Sequence, residues 1–177
     1  MSFSLSIDMS AFESEMEQFA DRAEKAARPA AQAGAQVLYD RVKANVAALG
    51  RKTGNLDSSI YQAFSESNSN ESKPVYHISW NYKEAPHGHL LEFGYLQRYL
   101  YYQNNQGQIR PMVRPGMEGM PRPGRRASRE QKDAYFMTRP GGPVQVPGSA
   151  FLRRAKDAMP QAQEAMRKTF LERLNER

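Results

Sequence analysis

The segment His87–Gly94, which reads HGHLLEFG, holds residue types that could bind a metal ion. His87 and His89 stand two positions apart, Glu92 follows three positions later, and His77 lies ten residues before His87. Two imidazoles and a carboxylate are ligands that transition metals accept. The two histidines converge only if the backbone is extended, however, whereas Glu92 joins their face only in a helix. We therefore expect histidines at the polar surface and no metal site.

Other catalytic patterns have less support. The chain has no cysteine, which excludes thiolate chemistry and disulfides and suits a reducing cytoplasm. The stretch RKTGNLDSS has one glycine and no phosphate-loop spacing, and no G-x-S-x-G turn occurs. Ser58 or Ser59 could be grouped with a histidine and an acid, but no spacing favours such a triad. We expect a protein that is not an enzyme and uses no cofactor.

The net charge of +6 comes from a single segment of the 177 residues. Between Tyr95 and Pro140, nine basic residues minus three acidic residues give +6, so the rest of the chain sums to zero. Arginines interleaved with aromatic residues could follow phosphates and stack on bases. The same residue types also anchor contacts between proteins. We select as candidate interface residues Arg114, Arg122, Arg125, Arg126, Arg129, Tyr135 and Phe136, with both kinds of partner left open.

The N-terminal half is predicted to be helical after a short strand. Ser2–Ile7 alternates polar and apolar residues, which is typical of a strand. Ser10 and Glu13 have the spacing of a capping box, so a helix should begin there. Its apolar face is Phe12, Met16, Phe19, Ala23 and Ala26 or Ala27. Pro29 should break or kink this helix, and a second helix should follow and end at Gly50.

Two strands and a helical turn are predicted next, at 59–65, 74–82 and 86–93. The second strand should turn its apolar face, Tyr76, Ile78, Trp80 and Tyr82, to the core and His77 to water. The helical turn should bury Leu90, Leu91 and Phe93. The C-terminal region shows the apolar stripe of a helix, Phe151, Leu152, Ala155, Met159, Ala162, Met166, Phe170 and Leu174. Pro160 should interrupt it and begin the longer piece.

The segment from Tyr95 to Gly148 holds most of the prolines and glycines and lacks sustained periodicity. A connection of this length is improbable inside a compact core, so we interpret it as a protruding basic arm or a long hairpin. Its tip, 109–139, has few large aliphatic residues to offset the cost of ordering and should be mobile. Trypsin should then cut first at Arg125, Arg126 and Arg129.

These observations predict an α+β fold in which a small antiparallel β-sheet packs against N- and C-terminal α-helices, with a long basic Pro/Gly-rich arm. We expect one domain over 1–177 with an insertion at about 95–148. The N-terminus lacks the pattern of a signal peptide, and no apolar run reaches the length of a membrane span. We therefore expect a soluble protein with no membrane partner.

Three short motifs follow one another along the chain: T-G-x-L-x-x-S from Thr53 to Ser59, L-x-E-F-G from Leu90 to Gly94, and P-G-S-A-F-L-R-R-A from Pro147 to Ala155. Their order resembles the tail-component family of long-tailed bacteriophages, the tail-completion or head-tail joining proteins. The resemblance covers roughly 1–94 and 145–177. It implies that Phe93 packs in the core, that Gly94 permits a turn, and that Glu92 caps or pairs locally.

The resemblance also implies a structural role in the virion. A member of this family would complete or cap the tail at the neck and join it to the head connector as a homo-oligomeric ring, with sixfold symmetry preferred. Its partners would be further copies of itself, the tail tube protein and a head-side connector protein, after assembly in the host cytoplasm. DNA could pass through the lumen with non-specific contacts. The alternative is a basic nucleic-acid-binding protein that uses the 95–148 arm.

Overall fold

The computed structural model describes residues 9–50 and 54–176. The chain divides into two compact units: unit 1 comprises Met1–Glu92 and Ala150–Arg177, and unit 2 comprises Phe93–Ser149. Long helices and two-stranded antiparallel sheets confirm the α+β class. The predicted strand Ser2–Ile7 and residue Thr53 lie outside the described residues. Among the residues described, no helix is long and apolar enough to cross a membrane.

Helix α1 of unit 1 runs without interruption over Ser10–Ala47, a length of 38 residues. It begins where the sequence predicts, but the N-cap position belongs to Met9 and not to Ser10. A break at Pro29, one of the two predicted outcomes, is wrong because Pro29 lies inside the helix, and the other outcome, a kink, stays a prediction. A proline removes one backbone donor, and this cost is offset when tertiary packing holds the helix on both sides. Here Ala26 and Ala30, which flank the proline, are both buried.

The C-terminal helix packs against α1 at very short range. Residues Arg153–Ala158 form a 3₁₀ helix that leads directly into α5, Met159–Asn175, with Pro160 in its first turn as predicted. A Cβ atom added to Gly34 of α1 would collide with the side chain of Met166. Small residues at this crossing therefore let the two helices approach closely, and the buried residues Ala26, Ala30 and Ala162 extend the contact.

A short helix and a hairpin complete unit 1. Helix α2, Asn55–Ser59, leads into strand β1, Ile60–Phe64, which pairs in antiparallel register with β2, Tyr76–Trp80. The core contains Val42, Val46, Leu56, Ile60, Ala85, Phe151 and Ala155, with Tyr39, Leu49, Ile78, Trp80, Leu91 and Leu152 packed against it. Tyr82, which the alternation assigned to the apolar face, lies beyond the end of β2 and is exposed.

Unit 2 is built from two hairpin-like sheets and one helix. Strand β3, Gly94–Gln97, pairs with the last strand of the unit, and β4, Tyr101–Gln103, pairs with β5, Ile109–Pro111. Helix α4, Arg129–Tyr135, begins with a capping box between Ser128 and Gln131, and β6, Val144–Pro147, closes the unit. The segment that lacks sequence periodicity therefore holds short regular elements. The mobility of its tip stays a prediction.

Candidate assembly interface

The histidines of HGHLLEFG lie at the surface of unit 1. Helix α3, Gly88–Phe93, follows His87 directly. His87 and His89 are exposed, and the Nδ1 atom of His89 lies 2.6 Å from the carbonyl oxygen of Pro86. His77 is exposed on β2. Among the described residues, no group of three or more histidines, cysteines and carboxylates could hold a metal ion.

The inward face of α3 differs from the predicted one. Phe93 is 64% exposed and Leu90 is also exposed, whereas Glu92 is only 1% exposed. The helical period explains the outcome, since Gly88, Leu91 and Glu92 stand at i, i+3 and i+4 and share one face. Gly88 and Glu92 are buried, and Leu91 packs against the core. The expectation that Leu90 and Phe93 fill the core is therefore wrong.

Glu92 binds a part of the chain that lies far away in sequence. Its Oε2 accepts a hydrogen bond from the Leu152 N–H at 2.8 Å, and its Oε1 accepts from the Arg153 N–H at 3.2 Å and from Nε of Arg153 at 2.9 Å. The Arg153 Nη2 atom also donates to the Glu92 carbonyl oxygen at 2.9 Å. The carboxylate thus satisfies backbone donors at the start of the 3₁₀ helix. The resemblance implied a local partner, and the partner instead stands 61 residues away.

These contacts form a clamp, which we define as Glu92 with Leu152 and Arg153. The clamp joins the last residue of the first stretch of unit 1 to the beginning of its second stretch. A buried carboxylate is costly unless its oxygens are bonded, and here backbone amides and a guanidinium bond both oxygens. The two sequence motifs L-x-E-F-G and A-F-L-R-R therefore describe two sides of one contact.

Phe151, directly before the clamp, is fully buried and its ring lies 5.6 Å from that of Trp80 in an edge-on arrangement. Asn45 of α1 donates a hydrogen bond from Nδ2 to the Phe151 carbonyl oxygen at 2.8 Å. Sequence reasoning missed Asn45, although its place one residue before Val46 on the buried face of α1 marks a polar residue among apolar ones. Ala150 has a φ of 52°, a left-handed conformation that alanine adopts at a cost.

A second carboxylate organises unit 2. Asp133 of α4 accepts from both Nε and Nη2 of Arg98, at 3.0 and 2.7 Å, and from the Tyr99 hydroxyl at 2.9 Å. Arg114 donates to the backbone carbonyl of Asp133 at 2.9 Å. A bidentate arginine–carboxylate pair fixes orientation as well as distance. No local pattern indicates this role, because Asp133 stands among charged residues 34 or more positions from its partners Arg98 and Tyr99.

These contacts shift the proton affinities of the groups involved. The Arg98 guanidinium, by hydrogen bonding to the carboxylate, lowers the pKa of Asp133 below its ordinary value. The same bond raises the pKa of Arg98. Burial raises the pKa of Tyr99, and its hydrogen bond to Asp133 acts in the same direction. All three shifts favour the charged pair with a neutral phenol beside it near neutral pH.

The structure separates the candidate interface residues into three groups, of which the first is Arg114 alone, bonded to the Asp133 carbonyl oxygen. Phe136 is 6% exposed and packs against Tyr135, with ring centroids 4.9 Å apart, and Arg122 lies over the Phe136 ring at 5.6 Å. These aromatic residues form the interior of unit 2. Three arginines are exposed and take part in no ion pair of the described residues, and we call them the arginine triplet: Arg125, Arg126 and Arg129. Their role in assembly stays a prediction.

Comparison with known proteins gives one family. Residues 10–94 match the family HK97-gp10_like, described as "Bacteriophage HK97-gp10, putative tail-component". The matched range covers α1, the β1–β2 hairpin and α3 with the clamp carboxylate. No curated protein and no solved structure matches the chain. The resemblance to phage tail components is thereby confirmed over these residues.

Proposed function

We propose that the chain completes or caps a bacteriophage tail and joins it to the head connector as a ring of identical copies, and the match of residues 10–94 to a family of tail components supports this proposal. It has no catalytic step and needs no cofactor. Sixfold symmetry is the preferred arrangement, and the partners are the tail tube protein and a head-side connector protein. The protein acts in the neck of the virion after assembly in the host cytoplasm.

The observation that carries this proposal is the division of charge between the two units. Unit 1 supplies the region that matches the family, and unit 2 carries nine basic and three acidic residues, a net charge of +6. A neutral scaffold with an inserted basic unit suits a protein that must bind several neighbours and face the DNA that passes the neck. Exposed arginines are favoured at such contacts because they pair with carboxylates or phosphates without losing their charge.

The proposal is tested in the phage that encodes the protein. An amber mutation in the gene should leave DNA-filled heads and separate tails, and purified protein added to that lysate should restore infectious particles. A cryo-electron map of the virion should contain a ring of this chain in the neck. Normal particle assembly without the protein, or a neck map without density for it, would overturn the proposal.

A nucleic-acid-binding protein is the second candidate, and the exposed arginine triplet favours it. If the protein is structural, any contact of these arginines with DNA should be electrostatic and unselective, because arginines that bind phosphates do not read the sequence. Affinity for a DNA duplex should then fall by about 10³-fold or more between 50 and 200 mM salt. Sequence-specific binding that survives the higher salt would favour this candidate over the structural role.

A further inference from the structure

The N-terminal part of α1 exposes a continuous row of large apolar side chains, which we call the α1 stripe: Met9, Phe12, Met16 and Phe19. Their exposed fractions lie between 46% and 55%. Steps of three and four residues place them on one face of the helix. Single exposed apolar residues are common on proteins, but a contiguous row on one face marks a surface that binds a partner.

The helix that covers the same face further along α1 does not reach the α1 stripe. Arg41 pairs with Asp157 at 3.5 Å, and Gly34 lies against Ala162 and Met166, so α5 runs antiparallel to α1. Helix α5 ends at Asn175. At about 1.5 Å per residue, the segment from Phe12 to Phe19 spans about 10 Å of helix that no other described element of unit 1 buries.

The charge around the α1 stripe indicates what kind of surface fits it. From Met9 to Asp21 there are four acidic residues and no basic residue, a charge of −4. Glu13 and Glu15 flank the stripe on its two sides, according to the helical period. Two copies of the stripe packed together would bring these carboxylates close to one another, which is unfavourable. The complementary surface should therefore be basic and partly apolar.

Unit 2 offers such a surface at 120–129. Met120 is 57% exposed, and the arginine triplet follows it within nine residues. We propose that the α1 stripe of one copy binds the Met120 region and the arginine triplet of unit 2 in a neighbouring copy. This inference rests on the proposed ring and identifies the surfaces that form it.

The proposed contact is head-to-tail, because the two surfaces differ. Repetition of a head-to-tail contact closes into a ring when the rotation between neighbours divides a full turn. Each copy has both surfaces, so every copy in a closed ring is bound on two sides. The apolar row would supply the buried centre of each contact, and the opposite charges would select the partner and its orientation.

A pair of charge reversals tests which face of α1 binds. Glu13→Lys with Glu15→Lys changes the flanks of the stripe, whereas Glu17→Lys with Asp21→Lys makes the same change of charge on the far side. Sedimentation velocity over a concentration series should show that the first pair weakens self-association by about tenfold or more and that the second pair changes it much less. The thermal midpoint of each monomer should match that of the wild type, because all four residues are exposed.

A mixing experiment tests the acceptor. Arg125→Glu with Arg126→Glu and Arg129→Glu should also prevent association. Mixing this variant with Glu13→Lys/Glu15→Lys should restore hetero-association, since both contacts between the two variants pair an acidic surface with a basic one. The chain has no cysteine, so Phe12→Cys in one copy and Met120→Cys in another can be cross-linked without background. A disulfide should form between the two variants in the mixture.

Four results would overturn the inference: wild-type protein that stays monomeric at every concentration, equal effects of the two α1 charge reversals, no restored association in the mixture, or cross-links of Phe12→Cys only to itself. These failures differ from failure of the proposed function. If the Glu13→Lys/Glu15→Lys variant still forms rings and restores infectious particles, the proposed function is supported and only the assignment of the contact surfaces is wrong. If a neck map lacks the chain, the tail role is wrong even where the protein self-associates in solution.

Discussion

Unit 1 and unit 2 each depend on one carboxylate, but the two carboxylates work in different surroundings. Glu92 is almost completely buried and bonds the backbone where the chain re-enters unit 1. Asp133 is 27% exposed and bonds an arginine and a tyrosine near the surface. The core of unit 1 draws buried apolar residues from α1, α2, β1 and the 3₁₀ helix, whereas Phe136 is the one buried residue among those described in unit 2.

The difference indicates what each unit contributes. Burial of apolar surface is the main source of stability in a small domain, and unit 1 has this source. Unit 2 depends more on hydrogen bonds and ion pairs at partly exposed positions, each of which contributes little. A unit of that kind gains most when a partner covers it. Unit 1 is therefore stabilised mainly by its apolar core, and unit 2 mainly by polar contacts near its surface.

The largest expected effect comes from removal of the central aromatic residue of each unit. Phe151→Ala should lower the free energy of unfolding of unit 1 by about 3 to 5 kcal/mol, because the fully buried ring leaves a cavity beside Trp80. The matched variant Phe136→Ala should disturb unit 2 and leave unit 1 folded. Urea titration, monitored by NMR at individual residues, would measure the unfolding of unit 1 and of unit 2 separately. Cooperative loss of both units in the Phe136→Ala variant would contradict the division described above.

The clamp should be the next most sensitive feature. Glu92→Ala leaves the N–H groups of Leu152 and Arg153 without their acceptor and should cost about 2 to 4 kcal/mol. Arg153→Ala should cost below about 1 kcal/mol, because that side chain is 61% exposed and most of its charge is already in water. Chemical denaturation of the two variants would give the comparison. Equal losses of unfolding free energy in the two variants would show that the guanidinium, and not the backbone donors, accounts for the stabilisation.

Acid should loosen unit 2 through Asp133. The hydrogen bonds from Arg98 lower the pKa of Asp133 in the folded protein, so the stabilising contribution of this carboxylate is fully present above its ordinary pKa and is lost as the pH falls through the lower, folded value. Amide NMR signals of Arg98, Tyr99 and Arg114 should move together in that range. In Asp133→Asn the charge is absent at every pH, and this common movement should disappear. Its persistence in the variant would assign the transition to another group.

The smallest effect is expected at the left-handed alanine. Ala150→Gly should raise the free energy of unfolding of unit 1 by about 0.5 to 1 kcal/mol, since glycine adopts a φ of 52° without the steric cost. The gain is limited because glycine has more freedom in the unfolded chain. Ser149→Gly, one residue earlier, is the control and should not stabilise the protein. A melting temperature that falls in Ala150→Gly would mean that the alanine methyl group makes a favourable contact.

Sequence reasoning succeeded where a pattern is repeated within a short stretch. The start of α1, the β1–β2 hairpin, the exposed His77 and the position of Pro160 all follow from local periodicity or capping rules. It failed at Pro29, where packing of Ala26 and Ala30 stabilises a helix that local rules would end. Propensity is a weak guide when tertiary contacts hold both sides of a residue.

The candidate site was harder to predict because its partners are distant in sequence. The L-x-E-F-G motif was found, yet its roles were exchanged, with the glutamate buried and the phenylalanine exposed. Hydropathy predicts that a phenylalanine is buried in preference to a glutamate, but the helical period turns Glu92 inward and the N–H groups of Leu152 and Arg153 bond its carboxylate there. The role of Asp133 was also missed, because its partners Arg98 and Tyr99 are distant in sequence. The exposed α1 stripe was predicted as an apolar face, but nothing in the sequence indicates that α5 is too short to cover it.

The clamp affects how well the chain tolerates insertions and exchanges within unit 2. Unit 2 begins and ends within a few residues of the clamp, and β3 pairs with β6 from Gly94 opposite Pro147 to Gln97 opposite Val144. Its two ends are therefore held together from one side by the clamp and from the other by a strand pair. When the two ends of a loop are already held together, a longer loop adds little to the entropic cost of closure, because that cost rises only with the logarithm of loop length. The segment between Gln97 and Val144 should therefore tolerate exchange or insertion while unit 1 keeps its fold.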